Sequence, residues 1–223
     1  MNFERMENKI VWGDCLSIMK RMPDKSVDLV VTDPPYGESL PKKSNNYGSC
    51  ADMSRKATND NWDDAIPDSR YFKEMMRVSK NQIIFGGNYY WENLYSTRCY
   101  IIWDKRGSLP SVPFAPTEFA WTSFNCMSKK YTILNHGFIR ECEKAEHPTQ
   151  KPLKLIKNIV ADFSNENDLI LDCFLGSGTT AVACVELGRR FIGIEKELRY
   201  VGIARKRVDA VARQGKLFQG ISQ

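Results

Sequence analysis

Leu29-Val30-Val31-Thr32-Asp33-Pro34-Pro35-Tyr36 decides how the rest of this 223-residue chain is read. Four residues of high strand propensity run straight into a carboxylate, two prolines and an aromatic ring. An apolar run without alternation is the form of a strand buried on both faces, as in a parallel sheet. Its end lies at the carboxyl edge of that sheet, where open α/β folds bind ligands. The prolines lack a free N–H and fix φ, so the turn is stiff. Asp33 and the carbonyl of Pro34 are thereby presented as rigid acceptors, with the Tyr36 ring alongside. Two acceptors beside a flat ring suit an exocyclic amine on a planar heterocycle. The plainer alternative is a Pro-Pro turn with Asp33 as a helix cap.

The flanking elements repeat the strand–helix alternation. Ile10-Val11-Trp12 is an earlier strand ending at Gly13-Asp14-Cys15, with Asp14 as N-cap of a helix carrying Leu16, Met19 and Met22. Residues 37–64, rich in Gly, Ser, Asn, Lys and Asp, show no periodicity. A loop of that length starting at the proposed site is expected to be a mobile, substrate-contacting lid. A helix over 69–79, with Tyr71, Phe72, Met75, Met76 and Val78 as its apolar positions, leads to strand Ile83-Ile84-Phe85 and Gly86-Gly87. Tyr100–Trp103 and Glu118–Trp121 read as further strands. Between them and the later motifs, residues 125–146 mix Lys129, Lys130, Tyr131, His136, Phe138 and Arg140, a composition suited to phosphates and bases or to a solvated hairpin. Tyr89, Tyr90 and Trp91 either stack on bases or phosphates or, the default for aromatics, pack in the core or an interface. Pro152 starts a helix through Leu153, Ile156, Ile159 and Val160. Strand Leu169-Ile170-Leu171, a helix over 181–187, strand Phe191–Ile194 and a helix over 198–211 follow, and the last ten residues carry no pattern.

Hydrophobic residues make up 42% of the chain and charged residues 26%, enough for one core without disulfides or structural metal. A formal charge of +5 permits a polyanionic partner without demonstrating one. None of the seven cysteines forms a C-x-x-C pair, so no zinc or redox site is expected. The start has no apolar signal region and no run reaches membrane-spanning length, so a soluble, reduced, cytoplasmic protein without a membrane partner is expected.

The second constellation is Asp172-Cys173-Phe174-Leu175-Gly176-Ser177-Gly178-Thr179-Thr180, a strand end, glycine turn and helix start. Glu195 tips the next strand, placed to accept both hydrogens of a ribose diol. Ala181 stands where a dinucleotide fold has its third glycine, and Asp172 opens the turn with a charge that repels a pyrophosphate. A cationic ligand with a ribose and no phosphate fits better, and S-adenosylmethionine is one. These departures also exclude an NAD-dependent oxidoreductase.

With His147-Pro148-Thr149-Gln150-Lys151-Pro152 between the two constellations, the chain resembles the β-class amino-methyltransferases of DNA over roughly residues 10–207. In that class the catalytic tetrapeptide precedes the cofactor loop, a circular permutation of the usual methyltransferase order. The resemblance implies a doubly wound, mostly parallel seven-stranded α/β sheet in one domain, with a target-recognition segment at about 105–146. It makes Asp33, Pro34, Pro35 and Tyr36 catalytic. Asp14, Cys15, Asp33, Asp172, Phe174, Gly176, Ser177, Gly178, Thr179, Glu195 and Lys196 become cofactor-binding, with Thr149 and Lys151 near the methionine end of S-adenosyl-L-methionine. Double-stranded DNA is the implied partner, met by Lys42, Lys43, Arg55, Lys129, Lys130 and Arg140. The target base is turned out of its stack onto Tyr36. A short recognition segment implies help from the 37–64 loop or from a homodimer. Asp at position 33 points to N6 of adenine. The cytosine N4 amine, a non-catalytic relative, and an RNA- or protein-directed methyltransferase are the alternatives. Cytosine C5 chemistry is excluded because no Cys follows a Pro.

Overall fold

The computed structural model describes residues 2–37, 66–109, 115–136, 139–140 and 150–219. Its centre is an eight-stranded sheet in the order β1-β10-β9-β2-β3-β5-β4-β6. The strands are β1 (Lys9–Trp12), β2 (Val27–Thr32), β3 (Ser79–Phe85), β4 (Tyr100–Asp104), β5 (Thr117–Thr122), β6 (Lys129–Thr132), β9 (Leu169–Asp172) and β10 (Arg190–Glu195). A separate two-stranded ladder pairs β7 (Asn135–His136) with β8 (Ile139–Arg140). Every pairing in the large sheet is parallel except those of β5 with β3 and β4. The sheet is therefore α/β and mostly parallel as expected, with one strand more than seven. The addition is β6, where charged residues with no apolar run hide a strand that only pairing with β4 creates.

Among the described residues, five α-helices cover the two faces: α1 (Cys15–Met19), α2 (Ser69–Val78), α3 (Leu153–Phe163), α4 (Thr179–Glu186) and α5 (Leu198–Gln219). α5 continues past the patternless tail expected from the sequence, to Gln219. Leu29 and Val31 of β2 pack with α3, α4 and α5, whereas Val30 packs with α1 and α2. That alternation buries β2 on both sides and explains its unbroken apolar run. β2 and β9 are neighbours. From β2 the chain winds through α2 to β3 on one side, and from β9 through α4 to β10 on the other. The carboxyl ends of β2 and β9 thus form the point where winding reverses, the crevice in which such sheets bind ligands. Asp33 and Asp172 stand at that crevice.

Candidate active site

β2 and β9 bring their acidic ends together directly. Thr32 Oγ1 donates to Asp172 Oδ1 over 2.8 Å, and the Phe174 amide donates to the same oxygen at 3.1 Å. Burial pushes the Asp172 carboxyl up to about 6, against the lowering effect of Thr180, Thr32 and the Phe174 amide. The turn beyond it is shaped by Gly178, whose φ of +90° starts α4. A Cβ there would stand 2.8 Å from the Ala204 Cβ, so Gly178 lets α5 close against the turn. Its neighbours Ser177 and Thr179 line the cavity, and Gly178 sets the backbone path between them. Ser177 Oγ donates to Gln150 Oε1 at 2.7 Å, and Arg207 donates to the Ser177 carbonyl at 2.8 Å, so the turn is clamped from two sides.

A cavity of about 420 Å³ opens over these strand ends. Asp14, Cys15, Asp33, Pro35, Lys151 and Asp172 line it, as do Phe174, Gly176, Ser177, Thr179, Glu195 and Lys196. Glu195 accepts from the Gly176 amide at 2.8 Å and from the Glu197 amide at 2.7 Å. Burial raises its carboxyl despite those bonds. The Lys196 amide also acts on it, and because a carboxylate offers about four lone-pair positions, acceptor capacity remains for a ribose hydroxyl. Asp14 caps α1 through the Ser17 amide at 2.9 Å while its other oxygen accepts from Tyr71 Oη at 2.8 Å. Burial acts to raise the Asp14 carboxyl, but these donors and Lys196 hold it below its ordinary value. The N-cap role of Asp14 is therefore observed, and the same residue also lines the cavity. Tyr71, whose ring lies 6.2 Å from that of Phe174, also lines the cavity and was missed. Its helical spacing reads as core, and only the fold turns it toward Asp14. Burial keeps the Cys15 thiol protonated, so it lines the cavity as an apolar group.

The Asp33-Pro34-Pro35-Tyr36 turn is more tightly engaged than its sequence suggests. Tyr36 Oη donates to Asp33 Oδ1 and Lys151 Nζ donates to Asp33 Oδ2, both at 2.5 Å. Burial raises the Asp33 carboxyl, Lys151 opposes that shift, and Glu118 adds to it. Lys151 was expected beside the cofactor alone, yet it is also the counter-ion of Asp33. The Pro34 carbonyl accepts from Tyr90 Oη at 2.7 Å, as does the Pro35 carbonyl at 2.9 Å. Tyr90 is buried, and its hydroxyl fixes both carbonyls in place. The ring of Tyr36 stacks on Tyr89 with centroids 4.7 Å apart and planes 12° apart. Tyr89 is 37% exposed. Tyr36 thus presents its ring as one half of a Tyr36–Tyr89 stack.

The cationic candidates are dispersed. Lys129 pairs with Asp162 at 3.0 Å and Lys130 with Asp104 at 2.7 Å, on the edge strand β6 and outside the cavity wall. Lys42, Lys43, Arg55, Thr149 and most of the 37–64 loop lie outside the described residues, and for Arg140 only its place in β8 is described. Among the described residues no helix is long and apolar enough to cross a membrane.

Comparison with known proteins agrees with this geometry. A family profile described as DNA methylase matches residues 102–206. The chain is 28% identical to the type II methyltransferase M.HinfI of Haemophilus influenzae, over 93% of its own length and 70% of that protein's. It is also 28% identical to the type II methyltransferase M2.DpnII of Streptococcus pneumoniae, over 90% of this chain and 89% of that one. The crystal structure of the M1.HpyAVI–SAM complex superposes with a TM-score of 0.57 at 28% identity, covering 90% of this chain and 98% of that one. The chain is thus similar to N6-adenine/N4-cytosine DNA methyltransferases, over residues 102–206 by the family profile and over most of its length by these relatives.

Proposed function

We propose that this chain transfers the methyl group of S-adenosylmethionine to the exocyclic N6 amine of adenine in a short duplex-DNA target. The observation that carries the reading is the cavity over β2 and β9, walled on one side by Glu195 and Asp172 and on the other by Asp33. Its volume, about 420 Å³, falls within the range of roughly 300–1,000 Å³ for small-molecule sites. The residues fit the cofactor. Glu195 has acceptor capacity left for a ribose hydroxyl. Asp172 is a buried carboxylate without a cationic partner among the described residues, and a cationic ligand would relieve its burial. When bound, the cofactor supplies a methyl group activated by its sulfonium.

The chain's own residues do the rest. An exocyclic aromatic amine is a poor nucleophile because its lone pair is delocalised into the ring. Hydrogen bonds from that amine to Asp33 and to the Pro34 carbonyl favour a pyramidal nitrogen with a localised pair. Tyr90 holds the carbonyl at a fixed position, so little reorganisation is left for the reaction itself. The Tyr36–Tyr89 pair provides the stacking surface for the extruded base. Asp33 in place of Ser favours adenine over cytosine N4, which shares the acceptor pair. Target recognition falls to about 105–146 and the 37–64 loop, with a homodimer extending the contact, and the compartment is the cytoplasm.

The test is direct. Purified protein is incubated with methyl-tritiated S-adenosylmethionine and DNA from a methylation-deficient host, then the DNA is digested and its nucleosides are identified by mass. Labelled N6-methyl-2′-deoxyadenosine is expected. Labelled N4-methyl-2′-deoxycytidine would assign the cytosine reading, and label found only in added RNA or protein, or nowhere, would overturn the DNA assignment.

A further inference from the structure

Glu118 stands on β5, the one strand among those described that runs against the rest of the sheet, and its carboxylate reaches Lys151 at the site. Lys105 bonds its Oε1. Its Oε2 is buried and makes no hydrogen bond among the described residues, although Lys151 Nζ is 3.3 Å away at ion-pair distance. The Lys151 side chain is only 8% exposed and so has two seats, Asp33 Oδ2 and Glu118 Oε2. In the structure it sits on Asp33, whose other oxygen is taken by Tyr36. A carboxylate bound this closely by an ammonium is a weak acceptor for an amine.

We propose that Glu118 is a positioning residue of the methyl-transfer site: it is the second seat of the Lys151 ammonium, and movement of Lys151 onto Glu118 Oε2 releases Asp33 to engage the target amine. This rests on the methyltransferase reading above. The amine lone pair forms the new C–N bond as the C–S pair returns to sulfur, and the surplus N–H proton passes to the released Asp33 carboxylate and then to solvent. The four charges Asp33, Glu118, Lys151 and Lys105 sum to zero, so the cluster stays neutral wherever Lys151 sits, and the N–H donors of the target amine meet the carboxylate it leaves. A buried acceptor left half-satisfied is otherwise destabilising, which gives Glu118 Oε2 a reason to exist as a landing place.

The groups facing Asp33 are Lys151 from the segment ahead of α3, Glu118 from β5, Tyr36 from its own turn and Asp172 from β9. Glu118→Gln removes the second seat without changing size. Its kcat is expected to fall about tenfold or more with the cofactor KM nearly unchanged. The acid limb of kcat should move to lower pH by about half a unit, because a negative neighbour of Asp33 is gone and Lys151 stays on it. A purely structural role would not move that limb. Carbon-13 titration of the Asp33 carboxyl in wild type and Glu118→Gln reads the same shift without turnover, so the inference is tested even if DNA is not the substrate. An unmoved Asp33 titration, or a variant with wild-type kcat, overturns the proposal. Should Glu118→Gln not fold, Glu118→Asp keeps the charge one methylene short of Lys151. It must then lower kcat at least threefold at an unchanged melting temperature, and wild-type kcat in that variant also overturns the proposal.

Discussion

Asp172 is a buried carboxylate and Asp33 a half-buried one, both at strand ends, and their surroundings give them different tasks. Asp33 has a cation against it and Asp172 has hydroxyl and amide donors only. Asp33→Ala is expected to abolish methyl transfer while cofactor affinity, read by calorimetry, stays within about threefold of wild type, since the carboxylate acts on the amine. Loss of binding in step with activity would contradict that role. For Asp172, the folded state holds the proton more tightly than the unfolded chain does, its carboxyl titrating at about 6. Its contribution to stability is therefore full below about pH 4 and is lost as pH rises through about 6. Asp172→Asn keeps an acceptor oxygen and removes that loss. Urea denaturation without ligand should find the variant more stable than wild type by about 1–3 kcal/mol at pH 7.5, and no more stable at pH 4. Cofactor binding should weaken in the same variant, because the charge that meets the cation has gone.

Elements hold these residues at fixed separations, and β3 shows how. Its end, Gly86, has φ +70°, and a Cβ there would lie 2.2 Å from Tyr36 Cε1. The strand end is thus hollowed so that the Tyr36 ring can lie against it and stack on Tyr89. Gly86→Ala combines left-handed backbone strain with that overlap. It should cost about 1–3 kcal/mol of stability. Turnover, measured where the variant is still folded, should fall further than stability explains, because Tyr36 and with it Asp33 are displaced. Wild-type turnover in a folded Gly86→Ala would show that the ring position does not matter. Tyr90 belongs to the same scale: a single 3₁₀ turn after Gly86 delivers its hydroxyl to the Pro34 and Pro35 carbonyls.

At the scale of the molecule, a formal charge of +5 is spread without a long basic run. DNA affinity should nevertheless fall steeply with salt, as lysines and arginines displace condensed counterions from phosphates. Lys129 and Lys130 already have carboxylate partners. Their joint replacement by Ala should change the slope of log affinity against log salt by less than the about 1.8 that two unpaired phosphate contacts would contribute. A flat dependence for wild type would favour a substrate other than nucleic acid.

The sequence by itself determined the sheet, because β2, β9 and β10 are apolar runs with local periodicity that no context could reverse. It also determined the chemical kinds at the site, since Asp33, Asp172 and Glu195 each end a strand, and a strand end in this topology is an edge position. What the tertiary structure decided is who meets whom. β6, two adjacent lysines followed by Tyr131 and Thr132 with no apolar run, becomes a strand only because β4 offers a free edge. Lys151 looks like part of a cofactor motif until folding carries it to Asp33, 118 positions away in the chain. Glu118 and Tyr90 carry no local signal at all. Charge pairing and burial depend on distances through space, and those are set when the strands pair, after the local pattern has been spent.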